Sequence, residues 1–253
     1  QVDLPGYNPP TFADENLVSQ AAELINQAER PVIITGHGVL ISQASQELLE
    51  FAEKTQIPVV STLLGISSFP TGHILDLGMA GMHGMAHASL AIDQSDLLIS
   101  LGMRFDDRVT GSLKGFAPNA KIVHVDVDPS ELGKNIKADA AVVGDIKCVL
   151  QQLIPQVAAN VHIDWLRHID KLKGEHPPTR IRETKELLPQ HVLRELARVT
   201  KGESIIVTGV GQHQMLAAQF CGFQEPNTLI TSGGHGSMGF EVPAAIGAKM
   251  GRP

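Results

Sequence analysis

Short apolar runs recur through the first 145 residues of this chain, and each ends in a loop rich in glycine or charge. Pro31-Val-Ile-Ile-Thr35 leads into Gly36-His-Gly38, and Pro58-Val-Val-Ser61 into Thr62-Leu-Leu-Gly65. Asp96-Leu-Leu-Ile-Ser-Leu101 leads into Gly102-Met-Arg-Phe-Asp-Asp-Arg108, and Lys121-Ile-Val-His-Val-Asp-Val127 into Asp128-Pro-Ser130. Ala140-Ala-Val-Val143 is followed by Asp145. Strands with no inside–outside alternation are buried on both faces, which calls for a parallel sheet with helices on each side. Helical spacing appears between the runs, in Leu17, Ala21, Leu24, Ile25 and Ala28 behind a capping Asp14, then in Leu48, Leu49 and Ala52. Further helices are predicted over Ala86–Asp93, after Asp128, and from a cap at Asp145 through Leu153. The expected fold is a Rossmann-like α/β sheet, whose ligands bind at the carboxyl ends of the strands.

The rhythm breaks over 158–187, which holds the single Trp165, His-Pro-Pro at 176–178 and a charged run from Arg180 to Glu186. It reads as an inter-domain linker with a short helix near 164–172. A linker over 1–12 and a first α/β domain over 13–157 precede it, and a second α/β unit over 188–253 follows. In that unit His191–Ala197 and Phe240–Met250 read as helices, and Ser204–Thr208 and Thr228–Thr231 as strands. The absence of an initiator Met suggests that the chain is cut from something longer.

A net charge of −7 with scattered basic residues gives no footprint for nucleic acid. Two distant cysteines, Cys148 and Cys221, fit a reducing compartment better than a disulfide framework. No apolar stretch has the length of a membrane span. His83 and His87 are four apart but lack the acidic partner of a zinc-protease helix, so no metal site is expected from them.

The strand ends carry the candidate chemistry. In Gly36-His37-Gly38 the glycines can let backbone N–H groups approach a phosphate, or can form an ordinary turn. Arg104 and Arg108 can clamp a diphosphate or can pair with the neighbouring aspartates. Asp126, Asp128 and Asp145 can accept from ribose hydroxyls or an adenine amine, or can cap helices, the stronger reading for Asp128 and Asp145. The loops Gly209-Val-Gly-Gln-His-Gln-Met215 and Ser232-Gly-Gly-His-Gly-Ser-Met-Gly239 combine glycine with polar side chains. Gln212 and His213 are placed there to donate to a phosphate or carboxylate.

Four strings, Gly81-Met-His-Gly84, Arg104-Phe-Asp-Asp-Arg-Val-Thr-Gly111, Thr208-Gly-Val-Gly-Gln-His-Gln-Met215 and Met238-Gly-Phe240 with Pro243-Ala-Ala-Ile-Gly247, resemble the catalytic subunits of acetohydroxyacid (acetolactate) synthases. The resemblance runs in order over nearly the whole chain. It implies a central FAD-binding domain (the DHS type of Rossmann-like sheet) and the N-terminal part of a domain that binds thiamine diphosphate. It also implies decarboxylation of pyruvate and condensation with a second 2-oxo acid, pyruvate or 2-oxobutyrate, early in branched-chain amino-acid synthesis, with FAD taking no net redox part. FAD would be held by Gly36, His37 and Gly38, by Thr62, Leu63 and Leu64, and by Met82 and His83. Gly102, Arg104, Asp106, Arg108 and Val109 would continue the contact. Asp126, Val127, Asp145 and Ile146 would meet the adenosine end, and Met215, Gly233 and Gly234 would approach from the second unit. Thiamine diphosphate would be met by Val210, Gly211, Gln212 and His213, and by Gly236 and Met238.

By the same resemblance the Mg²⁺ ligands and the activating glutamate lie outside this chain, so no catalytic residue is expected in it and the chain alone should be inactive. A homodimer or homotetramer, a regulatory subunit, and a cytoplasmic or plastid-stromal location are further implications. His37, His235, Leu216 and Glu241 depart from the glycine, leucine, tryptophan and glycine usual in that family. A related pyruvate oxidase or glyoxylate carboligase, or a non-catalytic nucleotide-binding module, is the alternative.

Overall fold

The computed structural model describes residues 9–177, 181, 182 and 184–253. Residues 1–8 of the expected first linker, and Pro178, Thr179, Arg180 and Glu183 of the expected second one, lie outside the described residues.

The first unit runs α1 (Glu15–Gln27), β1 (Pro31–Thr35), α2 (His37–Ile41), α3 (Ser45–Thr55), β2 (Val59–Ser61), β3 (Asp76–Met79), α4 (Ala86–Gln94) and β4 (Leu97–Leu101). It continues with α5 (Asp107–Thr110), β5 (Lys121–Asp126), β6 (Ala140–Val143), α6 (Ile146–Leu153) and α7 (Ile163–Glu175). The six strands pair in parallel in the order β3-β2-β1-β4-β5-β6. That is the doubly wound order, with its switch point between β1 and β4. The apolar runs explain why these strands are central: β1 and β4 are buried at every position. Ile33, Val59, Ile99 and Val123 pack on one face under α1, α3 and α6, while Val32, Ile34, Val60 and Ile122 pack on the other under α4 and α7.

Three expectations are corrected. Strand β3 escaped the sequence reading because Asp76-Leu-Gly-Met alternates exposure, as an edge strand does, and pairs only with β2. Its Asp76 carboxylate accepts from Gly72 N and Gly78 N, which fixes the turn into it. No helix follows Asp128; that carboxylate instead accepts from Ser130 N and Oγ, closing a turn. Finally, residues 163–175 do more than connect. Helix α7 buries Trp165, Ile169 and Leu172 in the core beneath the sheet, and Trp165 Nε1 donates to Pro31 O at 3.0 Å.

The second unit is α8 (Pro189–Thr200), β7 (Ile206–Thr208), α9 (Gln212–Phe220), β8 (Leu229–Thr231) and α10 (Glu241–Gly251), with β7 and β8 parallel. Helix α9 docks on the first unit. Ala217, Ala218, Cys221 and Phe223 share a core with Ile66 and Met79. Thr71 N donates to Phe223 O, Phe223 N to Thr71 Oγ1, and Gln219 Nε2 to His83 O. Burial pushes the Cys221 thiol up to about 11, so it is a packing group and not a nucleophile.

Candidate dinucleotide cleft at the sheet switch point

The ends of β1 and β4 meet almost without space between them. Gly36 N donates to Leu101 O at 2.9 Å and Gly38 N to Gly102 O at 3.1 Å. A Cβ on Gly38 would stand 2.7 Å from Gly102 Cα, and one on Gly102, at φ +62°, would stand 2.6 Å from Gly38 Cα. The glycines therefore work through their missing side chains. Their amides are already committed to the segment at the end of β4, which favours the ordinary-turn reading of these glycines over amides that reach a phosphate. The close approach opens a cleft of about 780 Å³ above the switch point, within the range of about 300–1,000 Å³ for cofactor sites.

One wall is the loop after β1, where His37 Nδ1 lies 3.1 Å from Leu64 O and so joins two loops of the cleft. Thr62, Leu63 and Leu64 follow β2, Thr62 Oγ1 being used to accept from Gly65 N. Met82 and His83 lie on the turn before α4, and Met82 N donates to Arg108 O at 2.8 Å. The floor and opposite wall come from Gly102, Arg104, Asp106, Arg108 and Val109, then Asp126 and Val127. Met215 and Val210 enter from the second unit with Gly233, Gly234 and Gly236, Gly233 against the side chain of Leu64.

Charge is distributed along this cleft. Arg104 Nη2 lies 3.3 Å from Asp106 Oδ2, and both groups are about half exposed, so the pair is worth little to stability and is free to exchange for a ligand. Arg108 N donates to the Asp106 carboxylate, and this bond, above all, holds Asp106 below the usual carboxylate range. At the end of β5 burial raises Asp126, whose carboxylate accepts from Asp128 N. A half-desolvated carboxylate at a strand end with lone pairs to spare suits hydroxyl or amine donors.

Two of the expected FAD contacts, Asp145 and Ile146, lie outside the cleft walls, as do four expected thiamine diphosphate contacts, Gly211, Gln212, His213 and Met238. Asp145 caps α6, accepting from Lys147 N and Cys148 N, and Ile146 is buried beneath it. Gly211, Gln212 and His213 form the start of α9, the two side chains exposed, and Met238 projects into solvent. His83 and His87 share no helix face, because α4 starts at Ala86. Sequence reading missed Met79, Ala80, Met103, Gln214, Ser232 and His235 as lining residues. Gln214 had a signal: it follows Gly211 by three, and its Nε2 donates to Thr231 Oγ1, tying α9 to β8. Among the described residues no group of three or more His, Cys, Asp or Glu could hold a metal ion.

Three buried imidazoles, His87, His124 and His162, are pushed down from the ordinary 6.5 by burial. His87 lies between Leu77 O at 2.9 Å and His176 O at 3.2 Å, and a neutral ring donates to only one of them. The folded chain keeps these rings neutral while the unfolded chain protonates near 6.5, so the unfolded state binds more protons below that pH. Denaturant titrations are therefore expected to show stability level above pH 7 and falling as the pH drops from 6.5 toward 5. A flat profile would show that these rings ionise equally in both states.

This geometry defines a cleft lined by residues of both α/β units, and sequence comparison identifies the class. Residues 18–153 match the model for the thiamine pyrophosphate enzyme central domain, and residues 209–253 that for the C-terminal TPP-binding domain. The chain belongs to the thiamine pyrophosphate enzymes. Within that class it is similar to the acetolactate synthase of Mycobacterium leprae, 46% identical over 260 residues covering all of this chain and 42% of the relative. It is also 46% identical to the probable acetolactate synthase large subunit of Methanocaldococcus jannaschii, covering all of this chain and 44% of the relative. To acetolactate synthase 1, chloroplastic, of Nicotiana tabacum it is 45% identical over 99% of this chain and 38% of the relative. The chain thus spans roughly two fifths of the length of these relatives.

Proposed function

We propose that this chain is the FAD-binding and thiamine-facing part of an acetolactate synthase catalytic subunit. The cleft at the β1/β4 switch point carries the reading. It encloses about 780 Å³ and is bounded by paired glycines where a bulky group must pass close to backbone, cationic at Arg104 and Arg108, and anionic at Asp126. That sequence of environments fits FAD laid across the strand ends, with the diphosphate at the arginines and the adenosine toward Asp126. Thiamine diphosphate, when bound, supplies the electron sink for decarboxylating a 2-oxo acid and joining it to a second one. The residues of this chain orient and shield: Met215, Gly233 and Gly234 close the cleft from the thiamine side, while Val210, Gly211 and Gly236 offer the second unit's turns to the diphosphate. Among the described residues no group of three or more His, Cys, Asp or Glu could hold Mg²⁺, whose ligands this reading places outside the chain. The parent enzyme's substrates are then pyruvate and 2-oxobutyrate, with assembly as a dimer or tetramer, a regulatory subunit, and a cytoplasmic or plastid setting.

Titration of the purified chain with FAD, followed by flavin fluorescence, is expected to saturate. The double change Arg104→Ala with Arg108→Ala should weaken binding by about tenfold to hundredfold, as expected for losing one or two charge-assisted hydrogen bonds. The full-length protein should convert pyruvate to acetolactate. A folded chain that ignores FAD would remove the flavin assignment, and peroxide in place of acetolactate would mark an oxidase.

A further inference from the structure

Buried at the centre of β5, His124 is a polar residue flanked by Ile122, Val123 and Val125, and its solvent exposure is zero. Burying an imidazole is costly unless it makes a specific bond. It makes one: Nε2 lies 2.9 Å from Met103 O. A carbonyl only accepts, so Nε2 carries the proton, and Nδ1 is left without a hydrogen-bond partner. The same ring meets Phe105 edge-on at 4.9 Å and 87°.

Met103 and Phe105 belong to the turn that aims Arg104 and Asp106 into the cleft. That turn is conformationally strained. Gly102 has φ +62° and Phe105, which has a side chain, has φ +50°. Such backbone persists only where neighbours over-determine it. Its carbonyls are fastened one by one: Gly102 O by Gly38 N, Met103 O by His124, and Phe105 O by Asn135 Nδ2 at 3.0 Å. The glycine and asparagine bonds come from the cleft side and the rim, whereas His124 holds the turn from inside the sheet.

We propose that His124 is a positioning residue for the dinucleotide cleft, its Nε2–H fixing the Met103 carbonyl and with it the direction of Arg104 and Asp106. This rests on the reading that the cleft takes FAD. Loss of the bond leaves a buried carbonyl unpaired beneath the turn, and the turn relaxes.

Two amide substitutions separate this role from simple core filling. His124→Gln places an amide nitrogen near the Nε2 position, while His124→Asn places one near Nδ1, out of reach of Met103 O. The whole chain and both variants are compared by thermal melting, by amide hydrogen exchange over residues 102–108, and by FAD titration. H124Q should match the parent in exchange and bind FAD within about threefold, while H124N should exchange about tenfold faster there and bind FAD about tenfold more weakly. Equal behaviour of the two variants, whether both intact or both impaired, overturns the proposal. The parent's imidazole ¹⁵N spectrum gives a test that needs no variant: a proton on Nε2 with bare Nδ1 is expected, and the opposite tautomer also overturns it. Should the parent bind no FAD, the flavin reading falls, while the exchange comparison still decides the role of His124.

Discussion

Replacing Gly102 by alanine should destabilise the chain by about 3 kcal/mol or more and weaken FAD binding at least about tenfold. Two costs combine. The residue sits at φ +62°, where a side chain costs about 1 kcal/mol, and its Cβ would stand 2.6 Å from Gly38 Cα. The second cost dominates, because the obstacle is backbone already bonded across the switch point through Gly38 N and Gly102 O and so cannot swing aside. Gly133→Ala is the control. Its φ is +75°, but an added Cβ there meets nothing within 4 Å. It should cost only the conformational part, about 1 kcal/mol, and leave FAD binding unchanged. Urea unfolding and a flavin titration of the two variants decide the matter. If G102A is as mild as G133A, close approach of the two loops does not shape the cleft.

Trp165→Ala is expected to cost about 3–5 kcal/mol, the usual range for truncating a buried tryptophan. The indole is 4% exposed, packs in the core under β1 and β4, and donates to Pro31 O. Trp165→Phe should cost less, since it keeps most of the apolar area and loses the single hydrogen bond. A side chain in a mere connection would change stability by no more than about 0.5 kcal/mol. A loss that small in W165A would therefore return α7 to the role of a linker. The first unit's melting transition, followed by tryptophan-independent far-ultraviolet dichroism, is the measurement.

What could be read without coordinates is the part governed by local pattern. Five of the six strands of the larger sheet announce themselves because a parallel strand buried on both faces has to be apolar throughout. The catalogue of strand-end loops follows directly, and with it Gly36, Gly102, Arg104, Arg108 and Asp126. β3 stayed hidden because an edge strand needs neither apolar continuity nor β-propensity, and Asp76 and Gly78 look like turn residues. Helix α7 was visible as a helix but not as core. Its apolar spacing says that one side is buried, not which partner buries it, and the strand it caps, β1, lies more than a hundred residues earlier.

The site divides the same way. Which residue types stand at each strand end is a property of the chain in order. Which ends are neighbours is not, because a parallel sheet is assembled from segments far apart in sequence and its order is settled by packing. Only the folded molecule puts β1 beside β4, presses Gly38 onto Gly102, commits the Gly38 amide to Gly102 O and the Gly102 amide to Val125 O, and sets the capping Asp145 away from the cleft. Only there does His124, a polar letter between Val123 and Val125, come to lie against the Met103 carbonyl of the turn.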